Sequence, residues 1–187
     1  MEAIRTSIQN AICDSPLMLI NALSGRLCDK SEQAAAFGSM TAFVTLVTSM
    51  ITQIDHALIE QVVGEFYRYA TFSHTWQGSE PLYEKVTKIV VYDLEASPTH
   101  NKLQMFCKIS RDEGFIWAWS DTCCINKGDH FILQEALVSM FKWYEGSAMT
   151  IIFLFDIDRL AGLGALMLSK WNSRGWTLQE YHAPKVV

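Results

Sequence analysis

Near its C-terminal end the chain reads WNSRGWTLQEYHAP over residues 171–184, with two tryptophans five apart, an Arg-Gly break between them and a carboxylate four residues after the second. Ser173 is placed to cap a short helix, and Trp176 and Glu180 then stand at i and i+4 on one face. That geometry predicts an aromatic body packed inward and a carboxylate held at the rim of whatever lies below. A carboxylate in such a place can stabilise a developing positive charge. It can equally serve structure, by capping or by pairing with Arg174 or the region of Lys185.

A carboxylate needs elements to position it, and from Tyr69 onward apolar runs alternate with helical patterns. YATFS (residues 69–73), FIWAWS (115–120) and TIIFLF (150–155) read as strands, the second apolar enough to be buried on both faces. Leu82, Val86 and Ile89 follow at helical spacing behind Ser79, taken as an N-cap. Leu103, Phe106, Cys107 and Ser110 mark one face of a helix ending at Gly114, and Leu133, Ala136, Leu137, Met140, Phe141 and Tyr144 mark an amphipathic one. Strands alternating with helices predict parallel pairing through right-handed crossovers, an open α/β sheet with helices on both faces. Ligands gather at the carboxyl ends of such strands. Here those ends carry Ser73 and His74, Ser120 and Asp121, and Asp156, one candidate cleft.

Residues 1–68 precede this alternation and read as an N-terminal elaboration of the domain whose core is 69–187. LMLINALSGRLC (17–28) suits a hairpin around Ser24-Gly25, and 31–64 is helix-like with a break at Gly38. Residues 33–54 carry no charge and have the length to cross a bilayer, but six Ser/Thr and two Gln dilute them. A buried or partner-packing helix is the preferred reading there, with no membrane span.

Composition narrows the class. The chain has 187 residues, half of them apolar and 12% aromatic, enough for one domain with a sizeable core and far from disorder. A net charge of −5 without a Lys/Arg block argues against nucleic acid or an anionic membrane as partner. Five cysteines, with one vicinal pair and no CxxC, indicate neither a disulfide framework nor structural zinc, and scattered histidines offer no metal site. A reducing, cytoplasmic setting is expected. The N-terminus has no signal-peptide pattern. Gly162-Leu163-Gly164 lacks the rest of a dinucleotide fingerprint and reads as a connection.

Four stretches, YATFSHTW (69–76), WAWSDTCCINK (117–127), LQEALVSMFKWY (133–144) and WNSRGWTLQEYHAPK (171–185), together resemble the HET domain of fungal heterokaryon incompatibility proteins, in its mushroom-type form. The resemblance runs from about Pro16 to the end. It implies a TIR-like, flavodoxin-like fold and a part in non-self recognition and innate immunity ending in programmed cell death. Some TIR domains cleave NAD with a glutamate in a W-x-x-x-E helix, a spacing that Trp176 and Glu180 match. The resemblance thus implies Glu180 as candidate catalytic residue and NAD as candidate substrate, with no bound cofactor. A non-catalytic module working through self-association or other protein domains is the alternative, with residues 33–54, including Phe43 and Val47, as its surface.

Cleavage of the nicotinamide–ribose bond passes through an oxocarbenium-like state, which a carboxylate in a dry pocket stabilises. Trp76 or Trp119 could stack on a base, His74 could bond ribose or phosphate or move a proton, and Asp121 could orient a ribose hydroxyl. Asn126 lies in the same loop as Asp121, and the ligand-binding candidates are therefore Ser73, His74, Trp76, Asp121, Asn126 and Trp176. Where the family commonly has glutamine, this chain has Lys127. Cys124 could be a nucleophile if His74 met it, although a packed Cys123-Cys124 pair is the simpler reading. The closing Pro184-Lys185-Val186-Val187 reads as the start of another strand, so a last strand is expected to be truncated.

Overall fold

The computed structural model describes residues 1–49, 54–158, 161 and 163–187. The middle one of its parallel strands is β3 (Tyr69–His74), buried at every position. Aromatic and β-branched side chains suit a strand covered on both faces. β3 pairs in parallel with β4 (Trp117–Ser120) on one side and β5 (Met149–Phe153) on the other, with Thr71 opposite both Trp119 and Thr150. β1 (Met18–Asn21) and β2 (Leu27–Asp29) form the expected hairpin, and β1 runs antiparallel to β4. The sheet order is β2-β1-β4-β3-β5, so the hairpin from the first 68 residues and the later strands share one sheet.

Helices cover both faces. From β3 the chain passes through the short α5 (Tyr83–Val86) and α6 (Pro98–Asp112) before β4, and from β4 through α7 (His130–Glu145) before β5. Phe106 of α6 stacks on Phe72 at 4.4 Å, while Trp143 and Tyr144 of α7 pack edge-on against Trp119. Phe72 and Trp119 occupy opposite faces, since Trp119 is in register with Thr71. The chain therefore leaves β3 and β4 toward opposite faces, a topological switch point at their carboxyl ends.

Polar residues start the helices. Ser97 caps α6 through the His100 N–H, with Pro98 in the first turn, and Asp129 caps α7 through the N–H groups of Phe131 and Ile132. Asp29 makes a capping box with Glu32 at the head of α2 (Lys30–Gly38). Asp55 does the same duty, without the box, for α4 (His56–Phe66). Gly114, at φ +86°, lets the chain turn from α6 toward β4. α1 (Glu2–Cys13) packs mainly against α4.

Several expectations need correction. Ser79 does not cap a helix; its carbonyl accepts from Thr99, and α5 begins at Tyr83 without a side-chain cap. Ser173 is no cap either, because it closes a 3-10 turn (Lys170–Ser173), and α8 (Thr177–His182) begins after Trp176. On α7, Leu137 and Phe141 face outward, and Trp143 takes the inward place. α3 (Thr41–Ser49) is nine residues long, and among the described residues no helix is long and apolar enough to cross a membrane. Phe43 and Val47 pack on the core, Phe43 against Phe37 at 5.8 Å, so α3 offers Val44 outward instead. Residues 50–53 of the uncharged stretch, and Gly162, lie outside the described residues. Beyond α8, the Val186 carbonyl accepts from the Thr150 N–H at 2.8 Å, so the last residues come alongside the free edge of β5.

Candidate functional site

Two charged clusters stand astride the end of β3. On the α7 side, Glu180 of α8 reaches down to Ser73 and is only 4% exposed. It accepts from the Ser73 hydroxyl at 2.5 Å and from both Arg174 guanidinium nitrogens at 3.2 and 3.3 Å. Ser73 in turn accepts from the Trp171 indole N–H at 2.7 Å, and Arg174 also donates to the His74 carbonyl at 2.8 Å. The carboxylate is thus charge-paired and held by three donors. Thr177 at the head of α8 donates to the Trp171 carbonyl at 2.6 Å, fixing the helix over the strand.

The expected orientation of this helix is reversed. Trp176 does stand one turn before Glu180, whose N–H donates to the Trp176 carbonyl at 3.2 Å. Yet Trp176 is 49% exposed and the carboxylate is the buried member. The inward aromatic is Trp171, because its indole N–H can satisfy Ser73 where burial would strand an unpaired polar group.

On the α6 side lies a group that the sequence reading missed. Lys102 of α6 and Glu80 of the loop after β3 form an ion pair at 2.6 Å with both side chains almost wholly buried. Lys102 also donates to the Thr75 carbonyl at 3.2 Å, and Glu80 accepts from the Gln77 N–H at 2.7 Å. His74 sits above them with Nδ1 3.9 Å from Glu80 and its ring stacked on Phe72. Burial, reinforced by Lys102 and Arg174, pushes the imidazole down to about 3, so His74 is neutral near pH 7. A lysine on the apolar stripe of α6, four before Phe106, was the only sequence signal; its partner is twenty-two residues away.

Asp121 joins the clusters. Its carboxylate is 4.0 Å from His74 Nε2. Burial pushes it up to about 6, Lys127 opposes the shift and Glu180 adds to it. With 23% of its side chain exposed, Asp121 is the more reachable carboxylate. Lys127 donates to the carbonyls of Asp121 at 2.6 Å and Thr122 at 3.0 Å and lies 4.4 Å from the Trp76 ring centroid. It braces this loop and holds Trp76, which is 43% exposed, beside Asp121.

The other candidates fall elsewhere. Trp119 is fully buried and offers no stacking surface, so Trp76 alone of that pair is available. Asn126 uses its side-chain oxygen on the Gly128 N–H at 3.1 Å, shaping the loop. Asp156 ties Ser169 and the Lys170 N–H at 2.8 and 2.7 Å, and so holds the turn that carries Trp171. Cys123 and Cys124 are buried, Cys124 sulfur accepting from the Ser120 N–H at 3.4 Å, while His74 meets Thr75 and Thr122. All five cysteines are free, and no cluster that could hold a metal occurs among the described residues. A cleft of about 340 Å³ opens on the outer side of α8, with Trp171, Arg174, Leu178 and Tyr181 in its wall. Arg174 separates that cleft from Glu180.

Fold and site define an open α/β domain with carboxylates gathered at a switch point of its parallel strands. Residues 69–166 match the family model described as heterokaryon incompatibility protein (HET), and the chain belongs to that family. The match begins at the first residue of β3 and stops short of Arg174 and Glu180. A relative, the vegetative incompatibility protein HET-E-1 of Podospora anserina, is 37% identical over 134 residues, 66% of this chain. The chain spans about a tenth of the length of that relative. No solved structure matches significantly.

Proposed function

We propose that this domain is the effector of an incompatibility response, acting in the cytoplasm in non-self recognition that ends in cell death, and that it works by hydrolysing NAD. The observation that carries the reading is a buried carboxylate, Glu180, positioned by Ser73 at the end of β3 beside a second, reachable carboxylate, Asp121. A TIR-like mechanism would use them as follows. The bond between ribose C1′ and nicotinamide nitrogen breaks, the electron pair leaves with nicotinamide, and Glu180 stabilises the cation left on the ribose. Water then adds to C1′, and Asp121, raised toward neutrality, takes its proton.

Arg174 closes the site as it stands, since its guanidinium occupies Glu180. The pyrophosphate of a dinucleotide competes for that guanidinium, and Arg174, 21% exposed in its side chain, is reachable from the cleft outside α8. Binding would so uncover the carboxylate that the reaction needs, with Trp76 beside Asp121 as the stacking surface for a ring.

The test is turnover of NAD by protein clustered through a fused, inducible oligomeriser. Glu180→Gln keeps the volume and the contact to Ser73, and its rate is expected to fall at least about 100-fold. Turnover equal to the unaltered chain would remove Glu180 from the mechanism. A second reading, a death-signalling module without chemistry, is favoured by the complete pairing of Glu180 with three donors. It predicts unchanged NAD on clustering and cell killing that survives Glu180→Gln.

A further inference from the structure

The outer face of α7 is unusually apolar for a helix already packed on a sheet. Phe131 and Val138 are 79% and 82% exposed, and Leu137 and Phe141 continue the strip toward α8. There a groove joins Phe141 to the exposed Trp176 and Leu178. The exposed parts of these six side chains amount to roughly 600 Å² of apolar surface, at the upper end of what a monomer leaves uncovered. A standard interface buries about 800 Å² per partner, somewhat over half of it apolar, so one such face meets the requirement.

Charge says what fits. Glu135, Val138 and Lys142 follow one another at i, i+3 and i+7, all exposed, with the two charges on the flank of the strip away from α8. If a second α7 lies antiparallel across the first, with the twofold axis beside Val138, Glu135 of each copy meets Lys142 of the other. Residues on one flank of an antiparallel pair meet the same flank of the partner, so Phe141 of each copy comes beside Leu137 of the other, with Trp176 and Leu178 bordering the same flank. In a parallel pairing in register the same flanks would not meet, and like charges would lie level.

We propose that a second copy of this chain docks on the face made by α7 and α8, as an isologous dimer built around antiparallel α7 helices. Because Trp176 at the head of α8 and Leu178 within it lie outward while Glu180 lies inward, docking bears on the helix that holds the buried carboxylate. Dimerisation does not depend on NAD hydrolysis and is tested without it.

Sedimentation velocity on the 187-residue chain, from about 1 to 200 μM, reads the association directly. The unaltered chain is expected to move from monomer to dimer across this range. Val138→Glu, at an exposed position and with its fold checked by circular dichroism, is expected to weaken association at least tenfold. Glu135→Lys alone weakens it as well, and Glu135→Lys with Lys142→Glu restores it, because the exchanged charges still face each other. A chain that stays monomeric throughout overturns the proposal and leaves the face to another partner. Association unchanged by Val138→Glu, or charge reversal that is not rescued, overturns the antiparallel arrangement.

Discussion

At the scale of the residue, the pair Arg174–Glu180 sets the cost of opening the site. Glu180 has nowhere to find water, whereas part of the Arg174 side chain already reaches it. Removing the cation therefore leaves a buried carboxylate uncompensated, while removing the carboxylate leaves a guanidinium that can turn outward. Arg174→Met is expected to cost about 3 kcal/mol and Glu180→Gln about 1 kcal/mol, read from urea unfolding midpoints at constant m. Equal losses from the two would show that Arg174 is as confined as its partner. Of this cluster the sequence showed Glu180, Ser73 and, as the structural alternative, Arg174. It did not show which tryptophan turns inward, because two indoles five apart fit one short helix equally well until Ser73 supplies a partner for one of them.

At the scale of the element, turns and caps decide how the strands present their ends. Gly25 in the β1–β2 hairpin has φ +75°, and a Cβ there would lie 2.8 Å from Tyr92 and 2.9 Å from Val90. Gly25→Ala is thus strained by its backbone, and the Tyr92 ring and a Val90 methyl would have to shift to admit the new carbon. A loss of roughly 2 kcal/mol is expected, measured as a fall in thermal midpoint, and a neutral substitution would mean that the hairpin re-forms without this turn. The hairpin was legible from Ser24-Gly25 between apolar runs. The caps were not legible at the right places: Ser79 and Ser173 have the right side chains, but the helices that needed them start elsewhere. Their hydroxyl types recur throughout the chain, and only the hydrogen-bonded geometry at Asp29, Asp55, Ser97 and Asp129 tells a cap from a loop residue.

At the scale of the whole molecule, the two groups at the strand ends pull stability in opposite directions with pH. His74 titrates near 3 in the fold and near 6.5 when unfolded, so its contribution is full above about 6.5 and is lost as pH falls toward 3. Asp121 titrates near 6 in the fold against 3.8, so its contribution is present below about 4 and is lost as pH rises to 6. Between about 4 and 6 the two offset each other, and a thermal midpoint that changes little is expected in that window, with a steep fall below it. Asp121→Asn removes one side of the balance, so its midpoint should begin to drop already near pH 6.5. A variant that holds its stability as far down as the unaltered chain would show that Asp121 is not held near neutrality in the fold.

Local pattern determined much of this protein: the strand β3 and its neighbours, the helices α6 and α7, the hairpin, and polar residues at the ends of the parallel strands. Each follows from a period of side-chain types along a few residues, which solvent exposure and backbone geometry enforce locally. Family membership was likewise legible, because motifs such as YATFSHTW and WAWSDTCCINK carry it in their own residues. Only tertiary structure decided that Glu180 is buried and Trp176 is not, that Lys102 reaches Glu80 across twenty-two residues, and that α7 keeps an apolar strip outside. These depend on which face of a helix finds a partner in space. The buried charge of Lys102 is tolerated because a distant segment brings Glu80 to it, and no spacing along one segment records that meeting.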